Sequence, residues 1–230
     1  MTSVSKELFR PLRSYVLRKG RITKAQKKAI TEFREDYILP TETKTLDFSK
    51  AFEEPENLLI AEVGFGSGEN LLNLAESNTN ANIIGIEVYL SGIGKVLNQI
   101  KKRRIKNLKI INHDVVTLFS SYISNEIFDY LILLYPDPWP KRKHRKRRLL
   151  GKEFLKQSYK KLKHGGYIYF KTDWEEYFLS IEKEFSFQKK WIKQEEKDFP
   201  TVLKTLSKTN YEIKAAKEGR RSLEVLYKKL

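Results

Sequence analysis

The residues of this sequence best suited to chemistry lie in one short stretch, YPDPWPKRKHRKRR, at positions 135–148. Three prolines stiffen the turn that holds Asp137 and Trp139, because the proline ring locks φ. Positions 141–148, which we call the basic block, then contain seven Lys or Arg residues and one His. A rigid carboxylate beside such a block favours a site for a polyanion, although a basic block can also be a solvated charge run. The indole of Trp139 could stack on a base or pack against a sheet edge.

Asp137 is one of four carboxylates at the carboxyl ends of successive predicted strands; the others are Glu62, Glu87 and Asp114. The carboxyl ends of parallel strands meet at one edge of a sheet, and ligands bind there. Four carboxylates at this edge would repel a pyrophosphate. They suit a cationic nucleoside, and S-adenosylmethionine combines a sulfonium, an ammonium, a ribose and an adenine without a phosphate. The pattern therefore predicts an S-adenosylmethionine site.

A glycine-rich turn follows the first of these strands in the segment EVGFGSGEN. Its glycines are Gly64, Gly66 and Gly68, whereas the dinucleotide fingerprint would need a glycine where Glu69 stands. Glycines let a ligand approach the backbone closely. By itself the turn fits a structural role equally well, and the neighbouring carboxylates favour a cofactor loop.

The elements that must position these residues are predicted from hydrophobic periodicity. Short apolar runs alternate with amphipathic helical segments, which indicates an α/β sheet with helices on both faces. The apolar stripe from Trp174 to Phe185 has helical spacing and predicts a helix that faces the core. We expect helices from about Thr23 and at 68–77, 91–105, 152–163 and 173–185, and strands at 57–65, 82–88, 108–114, 127–137, 165–173, 187–192 and 222–229.

The composition restricts the class of protein. The 230 residues carry a formal net charge of +16, which puts nucleic acid first among partners. There is no cysteine, which excludes disulfides and thiolate metal sites, and His113, His144 and His164 show no metal-ligand spacing, so we expect no metal. No apolar run approaches the ~18 residues of a membrane span, and the N-terminus lacks the apolar core of a secretory signal. We therefore expect a cytoplasmic protein with no membrane partner.

Six segments, in order from about residue 13 to residue 228, together resemble the bacterial tRNA (guanine-N7)-methyltransferase family: RSYVLRKGRITKAQ, AEVGFGSGENLLNLA, IGIEVYLSGIGKVL, YPDPWPKRKHRKRRLL, FKTDWEEY and TNYEIKAAKEG. The resemblance implies a Rossmann-like class I methyltransferase fold, whose mostly parallel sheet has about seven strands, the last antiparallel. It implies a basic, partly helical N-terminal segment at 1–45 and a methyltransferase domain at 46–230. The implied activity is methyl transfer from S-adenosylmethionine to N7 of a tRNA guanine, the variable-loop guanine at tRNA position 46.

The resemblance also implies roles for individual residues. Asp137 would contact the cofactor and be catalytic, and Lys141 and Asp173 would contact the substrate. The cofactor would be bound by Glu62, Gly64, Gly66, Gly68, Glu87, Asp114 and Asp137. The family's T-x-x-E motif, which would contact the guanosine, corresponds to Thr209, Asn210, Tyr211 and Glu212. The family's RNA-contacting segment corresponds to Lys143, His144, Arg145, Lys146, Arg147 and Arg148.

The chain departs from the family pattern in AAKEGRRSLEVLYKK, which keeps the glycine at Gly219 among unusually many charged residues. The proposed chemistry needs no general base, because guanine N7 carries a lone pair and no proton. We therefore expect Asp137 to orient the base and stabilise its developing positive charge. Two alternatives are an S-adenosylmethionine enzyme that methylates an rRNA base or a protein, and a non-catalytic RNA-binding protein with this fold. The sequence leaves open whether the chain is a monomer or a homodimer.

Overall fold

The computed structural model describes residues 14–15, 22–41 and 45–230. In these ranges, seven strands form one sheet: β1 (Leu58–Val63), β2 (Ala81–Ile86), β3 (Leu108–Ile111), β4 (Phe128–Leu134), β5 (Leu162–Thr172), β6 (Trp191–Gln194) and β7 (Leu223–Lys229). The strand order is β3-β2-β1-β4-β5-β7-β6. β1 to β5 pair in parallel, and β7 runs antiparallel to both β5 and β6. The predicted α/β fold class, with a parallel sheet and an antiparallel last strand, is confirmed.

Eight α-helices surround the sheet in the described ranges: α1 (Lys24–Tyr37), α2 (Glu69–Ser77), α3 (Leu90–Arg103), α4 (Val115–Ser121), α5 (Lys152–Lys161), α6 (Glu175–Ser186), α7 (Thr201–Lys204) and α8 (Asn210–Lys217). Short 3₁₀ turns occupy Phe48–Lys50, Arg142–Arg147 and Glu196–Asp198. None of the helices in the described ranges is long and apolar enough to cross a membrane.

The central strands are buried on both faces, as parallel strands covered by helices must be. Successive residues of β1 enter different halves of the core: Ile60 packs with side chains of α2 and α3, and Ala61 with side chains of α4 to α6. Both residues are fully buried. The alternation therefore places α1, α2 and α3 on one face of the sheet and α4, α5 and α6 on the other.

Helix α1 begins at the residue that the sequence predicts. Thr23 is its N-cap, and Thr23 and Gln26 form a reciprocal capping box. The helix packs on α3 at Gly94, where a Cβ atom would lie 2.8 Å from the carbonyl oxygen of Gln26. Beyond the helix, the Leu39 amide donates to the Ile110 carbonyl oxygen at 2.8 Å. Residues 24–39 are thus attached to the sheet, while the division of the chain at residue 45 remains a prediction.

Most of the predicted elements are confirmed, with shifted boundaries. The aromatic stripe forms one face of α6, and Tyr177 and Phe185 are buried as expected. The predicted helix at 152–163 extends too far, because β5 already begins at Leu162. The third strand ends at Ile111, and Asp114 instead caps α4, a helix that the periodicity did not predict. Helix α8 was also missed, since few of its residues are buried.

Candidate active site at the carboxyl edge of the sheet

The glycine turn after β1 uses its three glycines for two different purposes. Gly64, Gly66 and Gly68 all have positive φ, at 75°, 55° and 76°. No atom lies within 4 Å of where a Cβ would stand on Gly64 or Gly66, so their backbone is open to a ligand. At Gly68 a Cβ would lie 2.0 Å from Cγ2 of Val96, so this glycine serves the packing of the turn on α3. The open part of the turn is therefore its first half.

Gly92 supports this turn and was not singled out from the sequence. A Cβ on Gly92 would lie 1.9 Å from the carbonyl oxygen of Gly66. The first turn of α3 therefore approaches the glycine turn in direct backbone contact. A glycine two residues after a helix start is a weak signal by itself, which is why the pattern alone did not reveal it.

Glu62 lies in β1 immediately before the glycine turn, and its side chain is buried in the sheet edge. Only 3% of the residue is exposed. Its Oε2 atom has no hydrogen-bond partner in the described part of the chain. Burial, together with the negative charge of Glu87, raises the pKa of Glu62 to about 8. A buried carboxyl with an unpartnered oxygen, beside an open backbone turn, fits the ammonium group of a bound ligand.

Glu87 follows β2 and is held by three backbone amides. Its Oε2 accepts from the Gly66 amide at 2.8 Å. Its Oε1 accepts from the amides of Val88 and Tyr89 at 2.7 and 3.0 Å. The carboxylate thus ties the end of β2 to the glycine turn. Oε1 already accepts two of these bonds, but Oε2 keeps a second lone pair, so the fixed carboxylate can also accept a hydrogen bond from a ribose hydroxyl.

Asp114 combines a structural role with its position at the same edge. Its Oδ2 accepts from the backbone amide and the hydroxyl of Thr117, at 3.1 and 3.0 Å, and so caps α4. Nearby, the side-chain amide of Asn112 donates from Nδ2 to the backbone carbonyl oxygen of Glu87 at 2.9 Å. This bond holds the ends of β2 and β3 together, so Glu87 and Asp114 follow neighbouring strands at one edge of the sheet.

The turn that carries Asp137 is strained and anchored. Tyr135 and Trp139 both have positive φ, at 50° and 44°, a conformation rare in residues other than glycine. The Arg148 guanidinium donates to the Pro138 carbonyl oxygen at 2.8 Å. Asp137 itself is exposed at the tip of the turn. Backbone strain of this kind persists where the surroundings over-determine the conformation, as at active sites.

Arg148 anchors the Asp137 turn and, unlike most of the basic block, has a buried side chain. Its guanidinium forms a bidentate ion pair with Glu176 on α6, at 3.1 and 2.5 Å. It also lies 4.7 Å from the ring centre of Tyr177. Only 7% of the Arg148 side chain is exposed, which leaves little of it for an external ligand. Hydrogen bonds from Arg148 lower the pKa of Glu176, so the pair remains ionised.

Most other members of the basic block are exposed, on the 3₁₀ turn Arg142–Arg147 or just before it. Lys141, Lys143, Arg145 and Lys146 are exposed, and Arg145 also pairs with Glu176 at 3.2 Å. The Trp139 indole is covered by its own neighbours. Arg147 lies 4.9 Å from the ring centre of Trp139, and His144 meets the same indole edge-on at 5.8 Å. The indole therefore packs on the basic block and not on the sheet edge, and its stacking on a base remains a prediction.

The T-x-x-E motif forms the start of α8. The Thr209 hydroxyl accepts from the Glu212 amide at 3.0 Å, so the spacing of the motif is that of an N-cap. The Asn210 side chain donates to Glu69 Oε2 at 2.8 Å and links α8 to α2. The Tyr211 ring is 66% exposed and stacks on Tyr135, with ring centres 6.4 Å apart. The motif therefore lies beside the turn that carries Asp137.

Glu212 is positioned by Lys171, a residue the sequence analysis did not select. The Lys171 ammonium on β5 lies 3.1 Å from Glu212 Oε1 and 3.4 Å from Glu224 Oε2. The Tyr169 hydroxyl donates to the same Glu224 carboxylate. Glu212, Lys171 and Tyr169 line a cavity of about 220 Å³ that also includes Thr209. Nothing in the strand pattern distinguishes a lysine that pairs with two carboxylates from a solvated one.

Asp173, which follows β5, is paired with an arginine from beyond α8. The Arg220 guanidinium donates to Asp173 Oδ2 at 2.9 Å and also pairs with Glu218. A hydrogen bond joins Glu87 to the glycine turn, and ring stacking of Tyr211 on Tyr135 places α8 beside the turn that carries Asp137. No group of three or more His, Asp or Glu side chains in the described ranges is arranged to hold a metal ion.

The comparisons with known proteins concern the family of the whole chain. The family model Methyltransf_4, described as "Putative methyltransferase", matches residues 56–225. The tRNA (guanine-N(7)-)-methyltransferase of Francisella philomiragia is 38% identical over 175 residues, which are 76% of each chain. The chain belongs to the tRNA (guanine-N7)-methyltransferase family. A second relative of the same name, from Methylobacillus flagellatus, is also 38% identical and aligns over 73% of this chain and 71% of its own.

Solved structures share the fold at low sequence identity. An rRNA methylase from Streptococcus thermophilus superposes with a TM-score of 0.50 at 14% identity, over 76% of this chain and 88% of the other. A SAM-dependent O-methyltransferase from Thermotoga maritima superposes with a TM-score of 0.51 at 15% identity, over 88% of this chain and 71% of the other. At these identities the likeness concerns the fold alone. It confirms the predicted class I methyltransferase architecture for this member of the tRNA (guanine-N7)-methyltransferase family.

Proposed function

We propose that this chain methylates N7 of a guanine in tRNA, at the variable-loop position 46, with S-adenosylmethionine as the methyl donor. The observation that carries the proposal is the carboxylate edge of the sheet in a chain of this family. Glu62 near the end of β1, with Glu87, Asp114 and Asp137 after β2, β3 and β4, lies at the edge that carries a glycine turn whose first half is open. We expect the enzyme to act in the cytoplasm, where tRNA is found, and to be a monomer or a homodimer.

The contacts of Glu62 and Glu87 indicate a role for each of them at this edge. Glu62 would receive the ammonium group of the cofactor, since its Oε2 is buried without a partner in the described ranges. Glu87, fixed by three amides, would accept from a ribose hydroxyl through Oε2, and Asp114 would contact the cofactor, as the family resemblance implies. Gly64 and Gly66 would let the backbone approach the cofactor. When bound, S-adenosylmethionine supplies an electrophilic methyl group on a sulfonium.

On the substrate side, Asp137 would orient the guanine and stabilise the positive charge that methylation creates. The carboxylate can accept hydrogen bonds from guanine N1–H and from its amino group, which fixes the base with N7 in line for attack. Lys141 and Asp173 would contact the nucleotide, and the residues from Thr209 to Glu212 would border the guanosine. The exposed cations of the basic block would hold RNA phosphates.

The test of this function is direct chemical mapping. We expect the purified protein to transfer label from S-adenosylmethionine to bulk tRNA, and borohydride–aniline treatment to cleave the labelled tRNA at position 46. Borohydride reduces the cationic 7-methylguanine ring, and aniline then cleaves the RNA strand at that nucleotide. Labelled tRNA that resists cleavage would mean that another atom is methylated. Absence of label in tRNA, with label in rRNA or protein, would overturn the proposed substrate.

The ion pairs of Lys171 with Glu212 and Glu224, which we call the Lys171 cluster, lead to a prediction about charge. Lys171→Met leaves Glu212 and Glu224 without the cation they share, and two carboxylates in a half-buried cavity repel each other. We expect KM for tRNA to rise about tenfold, equivalent to ~1.4 kcal/mol of binding free energy, because Glu212 moves away from its place beside the guanosine.

A double variant separates charge balance from simple loss of packing. Lys171→Met/Glu224→Gln removes one negative charge together with the positive one. We expect its KM for tRNA to return close to the wild-type value. Glu224→Gln alone is the matched control. If the double variant is as impaired as Lys171→Met, charge balance is not what positions Glu212.

A further inference from the structure

A second cation-rich cavity opens on the side of α8, and of the residues assigned to the site it shares only Glu212. Its volume is about 680 Å³, and Lys208, Lys217, Arg220 and Arg221 contribute to its walls. Arg220 is engaged by Asp173. Lys208, Lys217 and Arg221 form no ion pair with any residue in the described ranges. We call this cavity the α8 groove, and its three uncompensated cations distinguish it from the paired cluster around Lys171.

The backbone at the end of α8 is built to place these cations together. Gly219 has φ of 73° and its amide donates to the Ala216 carbonyl oxygen at 3.1 Å. The next amide, of Arg220, donates to the Ala215 carbonyl oxygen at 2.8 Å. These two bonds form a Schellman motif, which reverses the chain directly after Lys217. The reversal brings Arg221 back beside Lys217. The charged residues around Gly219 that depart from the family pattern therefore form the wall of one groove.

The α8 groove adjoins the proposed guanosine site. Lys208 and Glu212 line both the groove and the 220 Å³ cavity that contains Thr209 and Lys171. The groove also has an apolar part, made by Ala216 and by Ile213, which is 44% exposed. A ligand that fits has negative charge for the cations and an apolar sugar or base surface for Ile213.

We propose that the α8 groove binds the nucleotide adjacent to the methylated guanosine, with its phosphate on Lys208, Lys217 and Arg221 and its sugar or base against Ile213. The inference rests on the proposed function for the identity of the RNA. With Glu212 at one end of the groove and Asp173 held by Arg220 at its wall, a flanking phosphate anchored here keeps the target guanosine in reach of Asp137. The groove and the basic block would thus hold the RNA on two sides of the site.

The experiment uses the full chain with Lys217→Ala/Arg221→Ala and measures tRNA methylation over a range of salt concentrations. We expect KM for tRNA to rise about tenfold near physiological salt, and the slope of log(kcat/KM) against log salt to become shallower by up to about 0.7, because the groove holds one phosphate and each phosphate contact to single-stranded RNA contributes ~0.7. We expect kcat and the KM for S-adenosylmethionine to stay unchanged, because neither cation lies at the carboxylate edge.

The matched control is Lys102→Ala/Lys106→Ala, which removes the same charge from exposed positions near the amino end of β3. Thermal unfolding of both pairs checks that they fold. If both double variants change KM and the salt slope equally, the proposed nucleotide site in the groove is wrong, since a general electrostatic field would then explain the changes.

Direct RNA binding, measured by fluorescence anisotropy with unmethylated tRNA, reads the groove independently of catalysis. If the wild-type protein binds tRNA without methylating it, and only Lys217→Ala/Arg221→Ala weakens binding, the proposed activity is wrong and RNA binding in the α8 groove is supported. If the wild type methylates tRNA and the two double variants bind tRNA equally well, the proposed groove site is wrong and the proposed activity is supported.

Discussion

Asp137→Asn should lower kcat for tRNA methylation by about 10²–10³-fold, the loss typical when one group that stabilises transition-state charge is removed. Guanine becomes cationic as N7 is methylated, and the carboxylate is the charged group that the strained turn presents at this edge. The amide of Asn keeps the shape of the side chain and loses its charge. The measurement is single-turnover methylation of tRNA at saturating cofactor, by wild type and variant.

The pH dependence of this rate distinguishes charge stabilisation from base catalysis. Guanine N7 has no proton to lose, so we expect the wild-type single-turnover rate to be flat near neutral pH and the variant to be lower by a constant factor. Asp198→Asn, which neutralises an exposed carboxylate in the connection between β6 and α7, is the control for net charge. An apparent pKa near neutrality in the wild-type rate that disappears in Asp137→Asn would show that Asp137 takes up a proton.

Glu62→Gln should weaken cofactor binding by about 10²-fold, because an ion pair with a buried carboxylate is strong and its loss leaves the ammonium without a counter-ion. The effect should carry a proton signature. The pKa of Glu62 is raised to about 8 in the free protein, so at pH 7 the carboxyl is mostly protonated. An ammonium group favours the carboxylate, and binding should therefore release close to one proton at pH 7.

Calorimetry in two buffers of different ionisation enthalpy measures this proton release. S-adenosylmethionine and S-adenosylhomocysteine should both show it, since they share the ammonium and differ in the sulfonium. Affinity for both should rise with pH up to about 8 and then level off. In Glu62→Gln the release and the pH dependence should vanish, whereas Glu56→Gln, an exposed control at the amino end of β1, should behave as wild type. Proton release that persists in Glu62→Gln would assign the titrating group elsewhere.

The same group affects the stability of the ligand-free protein. A carboxyl whose folded pKa is raised stabilises the folded state least at high pH, because the folded protein then holds a charge it disfavours. The free energy of unfolding should therefore fall as pH rises from about 4.5, the usual value, to about 8. Glu62→Gln should lack this fall and be more stable than wild type above pH 8. The ligand-free protein thus carries the free-energy cost of burying the Glu62 carboxylate, and the ammonium group of the bound cofactor would offset that cost.

Much of this architecture follows from local sequence. Apolar runs such as NLLIAEVGF and IFDYLILLYPD must be buried on both faces. Because they alternate with amphipathic helices, a parallel sheet covered by helices is the arrangement that buries them. In such a sheet the residues after each strand meet at one edge, so the placement of Glu62, Glu87, Asp114 and Asp137 could be predicted. The glycine turn and the N-cap at Thr23 are also local, because φ and capping depend on a few neighbouring residues.

The tertiary structure decided which charges are free and which are paired, since partners far apart in sequence meet only when the sheet closes. Arg148 belongs by sequence to the basic block, yet Glu176 and Tyr177 bury it under the Asp137 turn. Lys171 gains its role from Glu212 and Glu224, which lie 41 and 53 positions away along the chain. Gly92 is needed because of the Gly66 carbonyl. Hydrophobic periodicity specifies the layers of the fold, whereas pairing, burial and close backbone approach depend on contacts that no local pattern encodes.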